Sequence, residues 1–276
     1  MSHFIKTNNI KIHYLEYKGD GPTIILMHGL TANAHAFDGL IAAGLNTFCN
    51  VISIDLRGRG ESDQPEGYSM EAHAKDVVGF MDKMNFGKVI IGGHSFGALL
   101  SLYLATHHSE RVEKLLILDA GAKMHENTKE MLAPSLSRLG QVYPSFQFYL
   151  DKVKAAPYLD FWEKEMENYY RADVKVHDDK TVSCIPQLER MVSAVNGVLS
   201  EPWKQYLENI PQKSLLINAP GIYTMGAALL PKENALDTVN MMKNCSYVEV
   251  PGNHQTMLYG EGAKQIVQAI KEFLNN

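Results

Sequence analysis

Short apolar segments alternate along this chain with amphipathic stretches, and this alternation restricts the possible folds more than any other feature. The apolar segments carry few polar side chains, which is typical of strands buried on both faces of a parallel sheet. Between them, apolar residues recur at helical spacing. The sequence therefore predicts an α/β fold with a mostly parallel, doubly wound sheet that binds ligands at the carboxyl ends of its strands. The predicted strands are residues 23–27, 51–54, 89–91, 115–118, 215–217 and 247–250, and the predicted helices are residues 34–45, 69–84, 96–108, 232–243 and 261–274.

The N-terminal residues precede this alternation and follow a different pattern. Residues 4–7 and 10–17 alternate polar with apolar side chains on either side of Asn8 and Asn9. This pattern predicts an N-terminal β-hairpin.

A long segment interrupts the alternation after residues 115–118, which form the sixth predicted strand when the two hairpin strands are counted. Between Ala120 and about Pro211 we find no strand pattern, and this region is rich in aromatic residues. An insertion at that point emerges at the edge of the sheet where ligands bind, so we expect a helical lid there. The expected division is a core domain of residues 1–121 and 203–276 with a cap of residues 122–202. Helical patterns within the insertion cover residues 127–140, 145–155, 158–171 and 184–199.

A serine lies in a Gly-x-Ser-x-Gly string, residues 93–97, between an apolar run and a helical pattern. A sharp strand-to-helix turn exposes such a serine above the sheet and leaves no room for side chains two positions before and after it. The start of the following helix favours an oxyanion. These features predict Ser95 as a nucleophile and the backbone N–H of Phe96 as an oxyanion donor.

An activated serine also needs a base, and His254 directly follows the last predicted strand. A loop at that position brings the imidazole to the same sheet edge as Ser95. None of the other histidines forms a metal-ligand spacing, so no metal is expected. His94 is expected to pack under the serine turn.

Four motifs of this chain resemble those of the α/β-hydrolase superfamily, in its lidded serine esterase-like branch. They occur in the order and at the spacing of that family. They cover nearly the whole chain outside the predicted lid. The resemblance implies an α/β-hydrolase fold, an oxyanion hole made by the N–H groups of Leu30 and Phe96, and structural roles for Asp55 and Arg57. The motifs are His28-Gly29, residues 55–62, residues 93–97 and residues 252–254.

The acid that would orient His254 departs from the family's usual pattern. The family usually carries it after the seventh strand, where this chain has Ile222 and no Asp or Glu from Asn209 to Lys232. A minority of the superfamily, including some haloalkane dehalogenases and a lactone hydrolase, carries it after the sixth strand. Asp119 ends that strand here, 24 residues after Ser95, and we predict it as the third member of the triad. The alternatives left open are Glu233, Asp237, a lid residue such as Glu126, or no acid.

These residues predict a serine hydrolase that cleaves a small carboxylic ester or lactone and needs no cofactor. Serine rather than aspartate at position 95 disfavours dehalogenase and epoxide hydrolase chemistry. From position in the chain, Phe37, Met124 and Met257 are expected to line an apolar pocket. Hydrolysis of a carbon–carbon bond in a diketone and perhydrolysis use the same groups. A non-catalytic receptor for a small ligand, or a degenerate hydrolase acting through its lid surface, also remains open.

The composition of the chain restricts the kinds of partner and compartment that we expect. The net charge of −5 provides no electrostatic reason to expect nucleic acid or an anionic membrane as partner. No apolar run reaches the 18 or so residues of a membrane span, and the first residues lack a signal-peptide core. The three cysteines are widely spaced and predict no disulfide framework. We expect a cytoplasmic protein with a small-molecule substrate.

Overall fold

The computed structural model describes residues 1–275, which contain eleven strands and eleven α-helices. The strands are β1 (Ser2–Thr7), β2 (Ile10–Tyr17), β3 (Thr23–Met27), β4 (Asn50–Ile54), β5 (Val89–His94), β6 (Val112–Leu118), β7 (Val142–Tyr143), β8 (Val174–Val176), β9 (Val182–Cys184), β10 (Lys213–Asn218) and β11 (Cys245–Glu249). The helices are α1 (Asp38–Ala42), α2 (Met70–Lys83), α3 (Phe96–His107), α4 (Thr128–Met131), α5 (Ala133–Ser137), α6 (Phe146–Lys154), α7 (Lys164–Ala172), α8 (Leu188–Leu199), α9 (Trp203–Asn209), α10 (Lys232–Met241) and α11 (Gly260–Asn275).

The main sheet has eight strands in the order β1-β2-β4-β3-β5-β6-β10-β11. The first two strands pair antiparallel, β2 pairs antiparallel with β4, and the remaining neighbours run parallel. This confirms the predicted mostly parallel sheet and the N-terminal hairpin. The hairpin turns through Asn8 and Asn9, whose φ angles of 48° and 62° lie in the region that asparagine tolerates better than most residues.

The central strands are apolar because both faces of the sheet are covered. Residues 24–27 of β3 are fully buried, and so are Leu115 to Leu118 of β6. Helix α3 packs against β5 and β6 and is itself almost wholly buried. This arrangement places the carboxyl ends of β5, β6, β10 and β11 at one edge of the sheet.

The segment between β6 and β10 differs from the purely helical expectation. It contains helices α4 to α9, but β7, β9 and β8 also pair into a small antiparallel sheet. Strands of two or three residues are too short to show an alternating pattern, so the sequence did not reveal them. The predicted helix at 127–140 is broken into α4 and α5. Among residues 1–275, no helix is both long and apolar enough to cross a membrane.

Candidate active site

Ser95 lies on a strained turn between β5 and α3. Its φ of 54° and ψ of −116° are unusual for a residue with a side chain. A Cβ on Gly97 would lie 1.9 Å from the carbonyl oxygen of Met27, and a Cβ on Gly93 would lie 2.3 Å from the carbonyl carbon of Gly97. Glycine is therefore required at both positions, as the sequence predicted for a turn this sharp.

The structure brings together the three residues predicted as a triad. His254 Nε2 lies 3.0 Å from Ser95 Oγ, and His254 Nδ1 lies 2.7 Å from Asp119 Oδ2. Asp119 is fully buried and His254 is 5% exposed, whereas Ser95 is partly exposed. Both hydrogen bonds have the length expected for a serine, a base and the group that orients the base.

Asp119 is held by hydrogen bonds from the neighbouring strand end. Its Oδ1 accepts from Asn218 Nδ2 at 2.8 Å and from the backbone N–H of Ala219 at 2.9 Å. The hydroxyl of Tyr247 donates to Asn218 Oδ1 at 3.0 Å. Both of these donors engage Oδ1, so Oδ2 is free to accept from His254. The sequence analysis assigned neither Asn218 nor Tyr247 a role in holding the acid.

The other candidate acids lie elsewhere. Glu126, Glu233 and Asp237 are exposed. Within residues 1–275, Asp119 is the carboxylate that hydrogen-bonds the imidazole of His254.

His94, inside the serine turn, supports the His254 loop. Its Nε2 donates to the backbone carbonyl of His254 at 2.8 Å, and the two rings lie 4.5 Å apart. Burial holds the pKa of His94 well below its ordinary value, and the neighbouring His254 lowers it further. A neutral His94 therefore adds no second positive charge beside His254, in keeping with the packing role expected for it.

The loop after β3 lies next to the serine turn. Leu30 lines the same cavity as Ser95, and neither its N–H nor that of Phe96 donates a hydrogen bond to another atom of residues 1–275. Arg59 Nε donates to the Leu30 carbonyl at 2.8 Å, and the guanidinium lies 5.2 Å from the centre of the Phe96 ring. Burial lowers the pKa of Arg59 to about 9. Arg59 thus contacts both residues predicted to supply oxyanion donors, a role the sequence did not indicate.

Asp55 and Arg57 brace the neighbouring turns, as expected from the family resemblance. Asp55 accepts from the backbone N–H groups of Ala34 and Glu61 at 2.6 and 2.9 Å. Arg57 forms two hydrogen bonds to Asp76, at 2.6 and 2.7 Å. Both residues are buried.

A small cavity of about 50 Å³ adjoins Ser95 and His254. Part of the wall comes from the segment between β6 and β10. Residues of that segment in the wall are Leu132, Ser135, Leu136, Arg138, Tyr158, Tyr169 and Tyr170.

The structure corrects the predicted pocket residues. Phe37 and Met257 are fully buried in the core, and Met124 packs both against the core and against a small cluster that contains Met131 and Leu229. None of Phe37, Met124 and Met257 lines the cavity beside Ser95. The aromatic part of the wall comes from Tyr158, Tyr169 and Tyr170 of the aromatic-rich insertion, together with Tyr223.

The family follows from a comparison with known proteins. A family model described as the alpha/beta hydrolase fold matches residues 22–215, more than half of the chain. The chain belongs to the α/β-hydrolase family. This confirms the resemblance that the four motifs suggested.

Two relatives and a solved structure show the range of this α/β hydrolase's similarity. It is 30% identical over 270 residues to a putative esterase/lipase of Haemophilus influenzae, covering 97% of this chain and 88% of the relative. It is 35% identical over 103 residues to 2-(acetamidomethylene)succinate hydrolase of Mesorhizobium japonicum, covering 37% of each chain. The crystal structure of E-2-(acetamidomethylene)succinate hydrolase superposes with a TM-score of 0.86 at 21% identity, covering 100% of this chain and 99% of that one.

Most of the first curated matches are partial. This α/β hydrolase spans 20% to 46% of the length of the first four curated relatives. The similarity to the solved structure establishes the fold of this chain.

Proposed function

We propose that this α/β hydrolase cleaves a small carboxylic ester or lactone through an acyl-enzyme on Ser95. The observation that carries the proposal is the continuous chain of contacts from Asp119 through His254 to Ser95, with distances of 2.7 and 3.0 Å. A serine so placed at a strained turn is an activated nucleophile rather than an ordinary surface hydroxyl.

The geometry supports the following sequence of steps. Ser95 Oγ attacks the carbonyl carbon while His254 Nε2 takes the hydroxyl proton. When the tetrahedral intermediate collapses, the carbon–oxygen bond breaks and the departing alkoxide takes that proton from His254. A water then attacks the acyl-enzyme, giving its proton to His254, and Ser95 leaves with that proton. In a lactone the alcohol stays attached to the acyl group.

Charge on the carbonyl oxygen needs preorganised donors. We assign that role to the backbone N–H groups of Leu30 and Phe96, which have no partner among the described residues. Such donors are worth about 10²–10³ in turnover each. The bond from Arg59 to the Leu30 carbonyl supports this by fixing the orientation of the loop.

The relatives' names are consistent with this reaction class. The Haemophilus influenzae relative, matched over nearly the whole chain, is named as a putative esterase/lipase. We also propose residues 122–202 as a cap over the site, since several of them line the cavity beside Ser95. The cytoplasm remains our proposed compartment, supported by three free cysteines of which two are buried.

Hydrolysis of 4-nitrophenyl acetate and butyrate tests the proposal. The wild-type protein should release 4-nitrophenol at least about 10³-fold faster than Ser95→Ala. A fluorophosphonate probe should add its mass to the wild-type chain at Ser95 and leave Ser95→Ala unmodified. Equal turnover by the two proteins, together with absent labelling, would overturn the proposed function.

A further inference from the structure

Arg138 lies in the wall of the cavity beside Ser95, and its guanidinium is only partly used by the protein. Nη2 donates to the Thr31 hydroxyl at 3.1 Å, to the Thr31 carbonyl at 3.3 Å and to Asp173 Oδ1 at 3.4 Å. Nε is buried without a partner in the described chain, and Nη1 likewise donates to none of residues 1–275. Three N–H groups of this permanently charged side chain therefore have no partner among residues 1–275.

Asp173 forms an ion pair with Arg138 but uses only one nitrogen of its guanidinium group. The contact of 3.4 Å is long for a hydrogen bond between ions and engages a single nitrogen. The other carboxylate oxygen of Asp173 accepts from the hydroxyl of Tyr149, with the thiol of Cys184 at 3.6 Å. Asp173 therefore anchors one side of the guanidinium and leaves the other side without a carboxylate partner.

Tyrosine hydroxyls from the same wall add further donors. Tyr158, Tyr169 and Tyr170 line the cavity, and their hydroxyls form no hydrogen bond within the described residues. Tyr223, also in the wall, lies 3.2 Å from the hydroxyl of Ser135. Burial raises the pKa of Tyr223 to about 12 and raises that of Tyr169 as well. These phenols therefore stay protonated near neutral pH and can donate to an anionic acceptor.

Within the described part of the chain, Arg138 is the one lysine or arginine among the cavity-lining residues. Its side chain is 13% exposed, so bulk water is largely excluded around it. A cation with unused donors in such a site binds an anion more strongly than it would at the surface. A plain alkyl ester would leave these donors without a partner.

We propose that the substrate of this site carries a carboxylate, which Arg138 binds while Ser95 attacks a separate ester or lactone carbonyl. The proposal rests on the function proposed above. It differs from the apolar pocket that the sequence analysis expected. Arg138 does not touch the reacting atoms, so its contribution is to substrate selection.

Two matched esters test this selection. We compare 4-nitrophenyl hemiadipate, which carries a free carboxylate, with methyl 4-nitrophenyl adipate, in which that carboxylate is methylated. The wild-type kcat/KM should favour the hemiadipate by at least about tenfold. Arg138→Gln should abolish that preference, because it should lower kcat/KM for the hemiadipate at least about tenfold more than kcat/KM for the methyl ester. Arg171→Gln, a change at an exposed arginine of α7, is the matched control and should keep the wild-type preference.

Several outcomes separate this proposal from the proposed function. Ser95-dependent hydrolysis with equal kcat/KM for the two esters overturns the carboxylate proposal alone. An equal loss on both esters in Arg138→Gln also overturns it, because a merely structural arginine would act in that way. If Arg138→Gln does not fold, the ratio of the two kcat/KM values of the wild-type protein still tests the carboxylate proposal.

A binding measurement is independent of turnover. By isothermal titration calorimetry, Ser95→Ala should bind monomethyl adipate at least about tenfold more tightly than dimethyl adipate. The double variant Ser95→Ala/Arg138→Gln should bind the two compounds equally. Equal affinities in Ser95→Ala itself would overturn the proposal even if the protein hydrolysed no ester.

Discussion

Asn218 at the end of β10 donates a hydrogen bond of 2.8 Å to Asp119 at the end of β6. The orientation of the Asn218 amide is set by two further contacts, from its Nδ2 to the Leu230 carbonyl at 3.0 Å and from the Tyr247 hydroxyl to its Oδ1 at 3.0 Å. One strand end therefore supplies a carboxylate and the adjacent strand end supplies an amide that supports it. The two positions act as a pair, and their substitutions test the site directly.

Asn218→Asp should move the acidic limb of the pH–rate profile to higher pH and lower turnover near pH 7. The change removes a donor and places a second carboxylate within about 3 Å of Asp119 in a fully buried site, where both cannot be ionised together. The measurement is kcat for 4-nitrophenyl acetate between pH 5 and 9. Asn244→Asp, at an exposed position, serves as control, and an Asn218→Asp profile that superposes on wild type would contradict the paired arrangement.

Asp119→Asn should lower kcat by up to about 10⁴-fold while the protein remains folded. An amide in place of the carboxylate can present its NH₂ to His254 and so favours the wrong tautomer of the imidazole. Asp237→Asn, an exposed change on α10, should stay within about twofold of wild type. Full turnover by Asp119→Asn would show that the orienting acid lies elsewhere.

Gly97→Ala should destabilise the protein by about 1–3 kcal/mol and reduce the turnover of Ser95. The added methyl would lie 1.9 Å from the Met27 carbonyl oxygen, so the turn or β3 must shift. Gly87→Ala is the control, because a Cβ there meets no atom within 4 Å. Urea unfolding measures the first effect and 4-nitrophenyl acetate hydrolysis the second. Equal unfolding midpoints for both variants would contradict the close approach of Gly97 to the Met27 carbonyl.

The free energy of unfolding should fall as the pH is lowered from about 6.5 to about 4. Burial lowers the pKa of His28 to about 4, since a charged imidazole is disfavoured away from water. In the neutral ring, Nε2 accepts a hydrogen bond of 3.0 Å from the Leu56 N–H. The unfolded chain then binds the proton more readily, so the stabilisation is complete above pH 6.5 and is lost toward pH 4. The shift corresponds to a contribution on the order of 3 kcal/mol. Buried His73 and His94, whose pKa values are also lowered, act in the same direction.

Urea midpoints measured across that pH range provide the check. His28→Gln retains a hydrogen-bonding side chain without a titratable ring, so its stability should depend less steeply on pH. His107→Gln, at an exposed imidazole, should leave the slope as in wild type. An unchanged slope in His28→Gln would remove His28 as a source of the acid sensitivity.

Local sequence was sufficient for the features that depend on neighbouring residues. The apolar runs predicted the parallel strands because strands buried on both faces tolerate few polar side chains. Gly93 and Gly97 predicted the sharp turn at Ser95 because the close approach occurs within a few residues of chain. The position of His254 followed from its place directly after the last predicted strand.

Contacts between distant segments were decided by the tertiary structure. The order of the strands puts β6 beside β10, and this pairing brings Asp119 to both Asn218 and His254, which follow it by about 100 and 135 residues. The same is true of the cavity, where Arg138 meets Thr31 across more than 100 residues. Such contacts leave no periodic pattern in the sequence, because they depend on how complete elements pack rather than on local spacing. The sequence by itself therefore determined the nucleophile Ser95 and its turn. The tertiary structure decided which residues support Asp119 and that Arg138 lies in the cavity wall, because these contacts form only when the strands and helices pack together.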